Sequence, residues 1–183
     1  MLSQANSFGL MGLNGFPVKV EADISSGQIA YETVGLPDAA VRESRERVRS
    51  ALKNSGFSFP EGRIIVSLAP ADVRKEGSVY DLPIALALLC AQGRLKQAPL
   101  TKAVYLGELA LNGQVRPVNG VLPMVISARD AEENVFFVPR ENAQEAACVA
   151  GARVYPVDSL EQLVAFLRGE GGMEPLTSVP FAP

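Results

Sequence analysis

Histidine and tryptophan are absent from this 183-residue chain, and cysteine occurs only at Cys90 and Cys148. Without histidine there is no Ser-His-Asp triad and no imidazole for a zinc site. Two distant cysteines outside any Cys-x-x-Cys make neither a zinc cluster nor a redox pair. Both stand among apolar or small residues, which predicts buried, reduced thiols. No Gly-x-x-x-x-Gly-Lys-Ser/Thr string cradles phosphates; Gly169 to Gly172 is glycine-rich but follows a helix instead of a strand. No Asp-x-Asp or His-Glu-x-x-His pattern supports a metal site or metal-assisted hydrolysis. No window approaches the roughly 18 apolar residues of a membrane span, and Met1 to Gly12 has no basic leader region. The chain therefore reads as cytoplasmic, with no membrane partner. Seventeen cations against 20 carboxylates give a net charge of −3. That excludes a surface that is basic overall but leaves room for a local basic face.

What is present is apolar sequence, 48% of the chain, enough to bury the core of one domain. Gly15 to Ile24 alternates, with Phe16, Val18, Val20, Ala22 and Ile24 on one face, which predicts a strand with one wet side. Ser25-Ser26-Gly27 then predicts a turn into Gln28 to Val34, so residues 15 to 34 read as an antiparallel hairpin with Ser3 to Leu10 beside it. Asp38 is a candidate N-cap for a helix over Ala39 to Asn54, closed by Gly56. Val41, Val48 and Leu52 make its apolar face; Arg42, Arg45, Arg49 and Lys53 make a basic stripe. The stripe is either an anion or subunit contact, or a solvated face with Glu43 and Glu46 as local partners.

Arg63 to Ala69, Ala103 to Leu106 and Val135 to Val138 are continuous apolar strands, the sign of a sheet covered on both faces. Helices over Leu82 to Gln92, Val121 to Glu133 and Glu141 to Val149 supply the cover. Asn112-Gly113 signals a type I′ hairpin. Arg153 to Val157 predicts a last strand, and Asp158-Ser159 caps a last helix over Leu160 to Arg168. The fold class expected is α/β (α+β): a mixed sheet with packed helices and an N-terminal antiparallel hairpin. Residues 1–168 form the domain and 169–183 a linker toward something further.

Several segments together resemble a known family. They are Val34-Gly35-Leu36-Pro37-Asp38-Ala39-Ala40-Val41-Arg42-Glu43-Ser44-Arg45, Leu68-Ala69-Pro70-Ala71-Asp72-Val73-Arg74-Lys75-Glu76-Gly77, Tyr80-Asp81-Leu82-Pro83 and Gly107 through Gly120. Gly107 through Gly120, with Lys75-Glu76-Gly77, resembles the proteolytic domain of Lon-type AAA+ proteases, and the other three look like the amino-terminal, Lon-protease-like domain of the ComM/YifB family of magnesium-chelatase-like AAA+ ATPases. The resemblance implies a Lon proteolytic-domain-like fold, akin to domain 2 of some ribosomal proteins. It implies an AAA+ module of the same chain, hence ATP and Mg there and no cofactor in this part. For the whole protein it implies a hexameric DNA branch-migration helicase in natural transformation.

Lon-type domains cut peptides with a serine at a helix start and a lysine on a later helix. Laid on that pattern, this sequence has Val79 at the serine position and Leu122 at the lysine position. Neither side chain can attack or accept a proton, so the resemblance implies the fold without the activity. Ser78, one residue earlier, would sit about 100° around a helix and reads as a loop or cap residue. Lys75 reads as a surface lysine beside Glu76, and Asp81 as the cap of the helix it precedes. A residual Ser78/lysine peptidase and a metal-insertion subunit remain as alternative readings. Arg42, Arg45, Arg49, Lys53, Arg74, Lys75 and Arg116 are the expected DNA or subunit contacts.

Overall fold

The computed structural model describes residues 1–177. The first two strands, β1 (Leu2–Met11) and β2 (Asn14–Ser25), form a long antiparallel hairpin closed at Met11↔Asn14. Gly12 makes the tight turn at φ +63°, a conformation that favours glycine. Val18, Val20 and Ala22 are buried while Lys19 and Asp23 are exposed, as the alternation requires.

The expected hairpin over residues 15 to 34 is not there. β3 (Ala30–Val34) does not pair with β2; it lies parallel to β4 (Arg63–Ala69), and β4 lies antiparallel to β2 between them. The connection that brings β4 into this slot is α1 (Ala39–Asn54), whose length lets the chain return for a parallel pairing. Its bounds and its cap are those the sequence predicts: the Asp38 carboxylate accepts from Val41 N at 2.8 Å. Val41, Val48 and Leu52 are buried.

After β4 come α2 (Asp81–Ala91), α3 (Ala98–Thr101), β5 (Val104–Tyr105), β6 (Glu108–Leu109), β7 (Val115–Arg116) and α4 (Val121–Asp130). The chain continues through β8 (Val135–Pro139), α5 (Arg140–Ala147), β9 (Arg153–Val157), α6 (Leu160–Leu167) and β10 (Leu176–Thr177). Eight of the strands form one mixed sheet in the order β10-β9-β8-β5-β1-β2-β4-β3. Every residue of α2 is buried, and the helix packs across β1 and β2 at the centre of the domain. The expected cover on both faces holds for β5 and for residues 136–139 of β8. It fails for β4, where Ile64, Val66 and Leu68 are buried but Ile65, Ser67 and Ala69 only half-buried.

Tyr105, Phe137 and Tyr155 stack across three adjacent strands with centroids 4.8 and 4.7 Å apart, closed over by Phe166 of α6. Pairs of this kind contribute about 0.5–1.5 kcal/mol beyond their buried area.

Three other expectations change. β6 and β7 do form a hairpin, but Asn112 has no positive φ, which a type I′ turn requires. Gly113 alone is left-handed, at φ +91°, in a three-residue loop closed by Ala110 N to Gln114 O. Cys148 is exposed, because it caps α5 at its outer end; Cys90 is buried. Within the stretch expected as a linker, Leu176–Thr177 pairs antiparallel with β9; residues 178–183 lie outside the described part.

Candidate functional site

The loop before α2 is held to the start of α1. Lys75 N donates to Leu36 O and Asp38 N to Lys75 O, both at 3.0 Å, while the Asp38 carboxylate also accepts from Gly77 N at 3.1 Å. Lys75 itself is fully buried, which corrects its reading as a surface lysine and a DNA contact. Its ammonium donates to Gly35 O at 2.8 Å and to Pro70 O. Burial pushes the amine below the usual lysine range, and Asp72 opposes the shift. The physical reason for the burial is long-range: the carbonyls of two turns converge on one point and need a donor there.

Asp81 is likewise not the cap of α2. Residue 80 is the cap position and makes no side-chain cap bond. The fully buried Asp81 carboxylate accepts instead from Arg47 Nε at 2.6 Å, from Arg47 Nη2 at 3.0 Å and from Leu109 N at 3.1 Å. Burial pushes its pKa up to about 6, with Arg47 and the Leu109 N–H pulling the other way. One side chain thus ties α2 to α1 and to the β6–β7 hairpin. Sequence reading missed Arg47 because it falls outside the Arg42/Arg45/Arg49 stripe. The available signal was Asp81 itself, the sole charge in a helix that is otherwise apolar all round.

Above the start of α2 lies a cleft of about 410 Å³, lined by Ser78, Val79, Tyr80, Asp38, Asn119, Met124 and neighbours. Val79 is buried at its edge. Leu122 is 37% exposed on α4 and is not among the residues that line the cleft. Ser78 lines the cleft and its carbonyl accepts from Asp81 N at 3.2 Å. The Lys75 amine is engaged elsewhere. Tyr80 is buried, and burial with the Asp38 and Glu76 carboxylates nearby raises the pKa of its phenol.

The basic stripe faces a different part of the surface. Arg45 lies over the Tyr31 ring and Arg49 over the Phe59 ring, each 5.5 Å from the centroid. Together with Lys53 they line a hollow of about 200 Å³ between α1 and β3. The solvated-partner reading applies to Arg45, 3.8 Å from Glu46, and not to Arg42, Arg49 or Lys53, which lie in no ion pair among the described residues. Arg74 pairs with Glu76 at 3.3 Å and Arg116 with Glu108 at 3.8 Å. No group of three or more His, Cys, Asp or Glu among the described residues could hold a metal, and no helix among them is long and apolar enough to cross a membrane.

Residues 20–142 match the family described as subunit ChlI of Mg-chelatase, two thirds of the chain. The chain is 40% identical over 160 residues to competence protein ComM of Haemophilus influenzae, covering 87% of this chain and 31% of that protein. The chain belongs to this family, as a ComM/YifB-type domain. It is 42% identical over 164 residues to the uncharacterized protein YifB of Salmonella typhimurium, covering 90% of this chain and 32% of that one. A more distant likeness, 27% over 167 residues, reaches Lon protease of Mycolicibacterium smegmatis, covering 87% of this chain and 20% of the protease. The chain spans about a third of the length of its ComM and YifB relatives. Within the family match lie α1, the Lys75 loop, α2 and the β6–β7 hairpin, the parts that the Asp81 and Lys75 contacts join.

Proposed function

We propose that this ComM/YifB-family domain is a non-catalytic assembly and interaction module. The whole protein would carry an AAA+ motor, with its ATP and Mg, and act as a hexameric DNA branch-migration helicase in natural transformation. The observation that carries the non-catalytic reading is the Lys75 amine, buried and donating to Gly35 O and Pro70 O. A general base for Ser78 needs an amine that is free, neutral and within hydrogen-bond reach. Val79, at the position of the nucleophile, offers only hydrocarbon. The distant likeness to Lon protease supports a scaffold shared with proteases.

Two measurements test this. A fluorophosphonate probe should leave Ser78 unmodified under conditions that label an active serine hydrolase; a stoichiometric adduct on Ser78 would restore the peptidase reading. Light scattering should give a ring-sized particle when the domain is joined to an AAA+ module like that of its relatives, with nucleotide present. A particle that keeps the same number of subunits when the domain is deleted would remove the assembly role.

A further inference from the structure

One edge of the eight-stranded sheet is open. β3 is hydrogen-bonded to β4 on one side only, so the backbone groups on its other side meet no strand among the described residues. The opposite edge, β10, is two residues long; β3 has five and offers the longer template.

The two faces of this edge differ in charge. Tyr31 and Thr33 stand in register with Ile64 and Val66, whose side chains are buried in the core, so they point to the helix side, where Arg42 and Arg45 lie. Glu32, between them, points to the other face. A hollow of about 380 Å³ opens between β3, Glu32 included, and these arginines, and it shares Tyr31 and Arg45 with the hollow that holds Arg49, Lys53 and Glu61, so cations outnumber carboxylates across the two. The Nε of Arg45 makes no hydrogen bond, with Glu46 at 3.8 Å as its nearest carboxylate partner, and Arg42, Arg49 and Lys53 have no carboxylate within ion-pair distance among the described residues. Ile29 and Val34, at the two ends of the strand, are 82% and 44% exposed.

We propose that the β3 edge and the arginine-lined groove beneath it dock an extended acidic segment of a partner protein, added as a further strand with alternate carboxylates over α1. The spacings agree. Arg42 and Arg49 are about 10 Å apart along the helix, and alternate strand residues are about 6.7 Å apart, so two or three carboxylates on one face of a short strand reach the whole row. Backbone pairing supplies affinity in such complexes and the side chains on one face supply selectivity. A second copy of β3 is excluded as the occupant, because pairing edge to edge would set the arginine rows of the two copies against each other. Nucleic acid would match the charge but would leave the strand's N–H and C=O groups unmatched and place Ile29 and Val34 against phosphates. The inference rests on the interaction-module reading only in requiring a protein partner, and ring assembly can fail without affecting it.

The test uses the 183-residue chain and a fluorescent eight-residue peptide alternating aspartate and valine, followed by fluorescence polarisation and amide hydrogen exchange. Saturable binding is expected, with new exchange protection at residues 30–34. Affinity should fall at least about tenfold for the same peptide with a central proline, which cannot donate to the ladder, and for the double variant Arg42→Glu/Arg49→Glu. Both substituted positions are exposed, and an unchanged melting curve verifies the fold. Absence of saturable binding would overturn the proposal, as would affinity indifferent to the proline. So would an oligothymidylate that displaces the peptide and binds more tightly without protecting β3.

Discussion

Replacing Arg47 with methionine should destabilise the domain by about 3–5 kcal/mol at pH 8, measured by denaturant unfolding, because it strands a buried carboxylate. The loss should be smaller at pH 5. Asp81 has a folded pKa of about 6, raised chiefly by burial, against an unfolded value of about 3.9. Between those values the folded state binds more protons than the unfolded one. This group's contribution is therefore best below about pH 4, falls as pH rises through 6, and stays low above it. Without Arg47 the folded pKa moves further up, so the window widens and protonation at pH 5 relieves the stranded charge. Asp81→Asn should lose less, about 1–2 kcal/mol, since an amide can still accept from Leu109 N and leaves no buried carboxylate, while the partly exposed Arg47 keeps its bond to Ala40 O. It should also abolish the slope between pH 4 and 6. Equal losses for Arg47→Met at the two pH values would show that the pair carries no buried charge.

Gly35→Ala should be about as damaging, with a loss of about 4 kcal/mol or no folded protein recovered. Gly35 sits at φ +110°, a region L side chains rarely adopt, and a Cβ built there would lie 2.2 Å from Leu68 O. The neighbour is backbone within β4, so it has no rotamer to yield. Relief would require β3 and β4 to separate, and with them the carbonyl of Gly35 that accepts from Lys75. Losses of this size come from a short list of causes, and two of them coincide here. Gly56→Ala is the control: it also has positive φ, at +87°, but its Cβ would meet nothing within 4 Å. A melting curve for Gly35→Ala that matches that of Gly56→Ala would refute the argument from contact and leave only backbone strain.

The parts of the fold legible in the sequence are those set by local signals. Asp38 at the start of α1 and Ser159 at the start of α6 are capping residues whose side chains each accept one backbone N–H three residues on. Strand β9 falls where its apolar run predicted. Illegible features depend on what arrives from far away. The turn at Ser25-Ser26-Gly27 looked like a hairpin turn, yet its two flanking strands are parted by β4, which competes for the β2 edge with seven registered residues. Lys75, between Arg74 and Glu76, looked wet; only the positions of Gly35 and Pro70 in space explain why its amine is inside. The candidate site divides in the same way. The arginine row on α1 was visible from helical spacing alone, whereas the hollow it lines needs Tyr31 and Phe59, which no spacing rule connects to it.

The place of β1 has a consequence for how the molecule is made. The first strand of this sheet to be made is an inner one: β2 pairs with it at once, but its other neighbour is β5, where Asn6 meets Val104. Until that later stretch emerges, the nascent hairpin has one bare flank, and the half-sheet of β5, β8 and β9 has nothing to grow from. Such distant pairing slows folding, and for a chain synthesised from its amino end it makes residues 2–11 a seed that must stay unclaimed until residue 104 has been made.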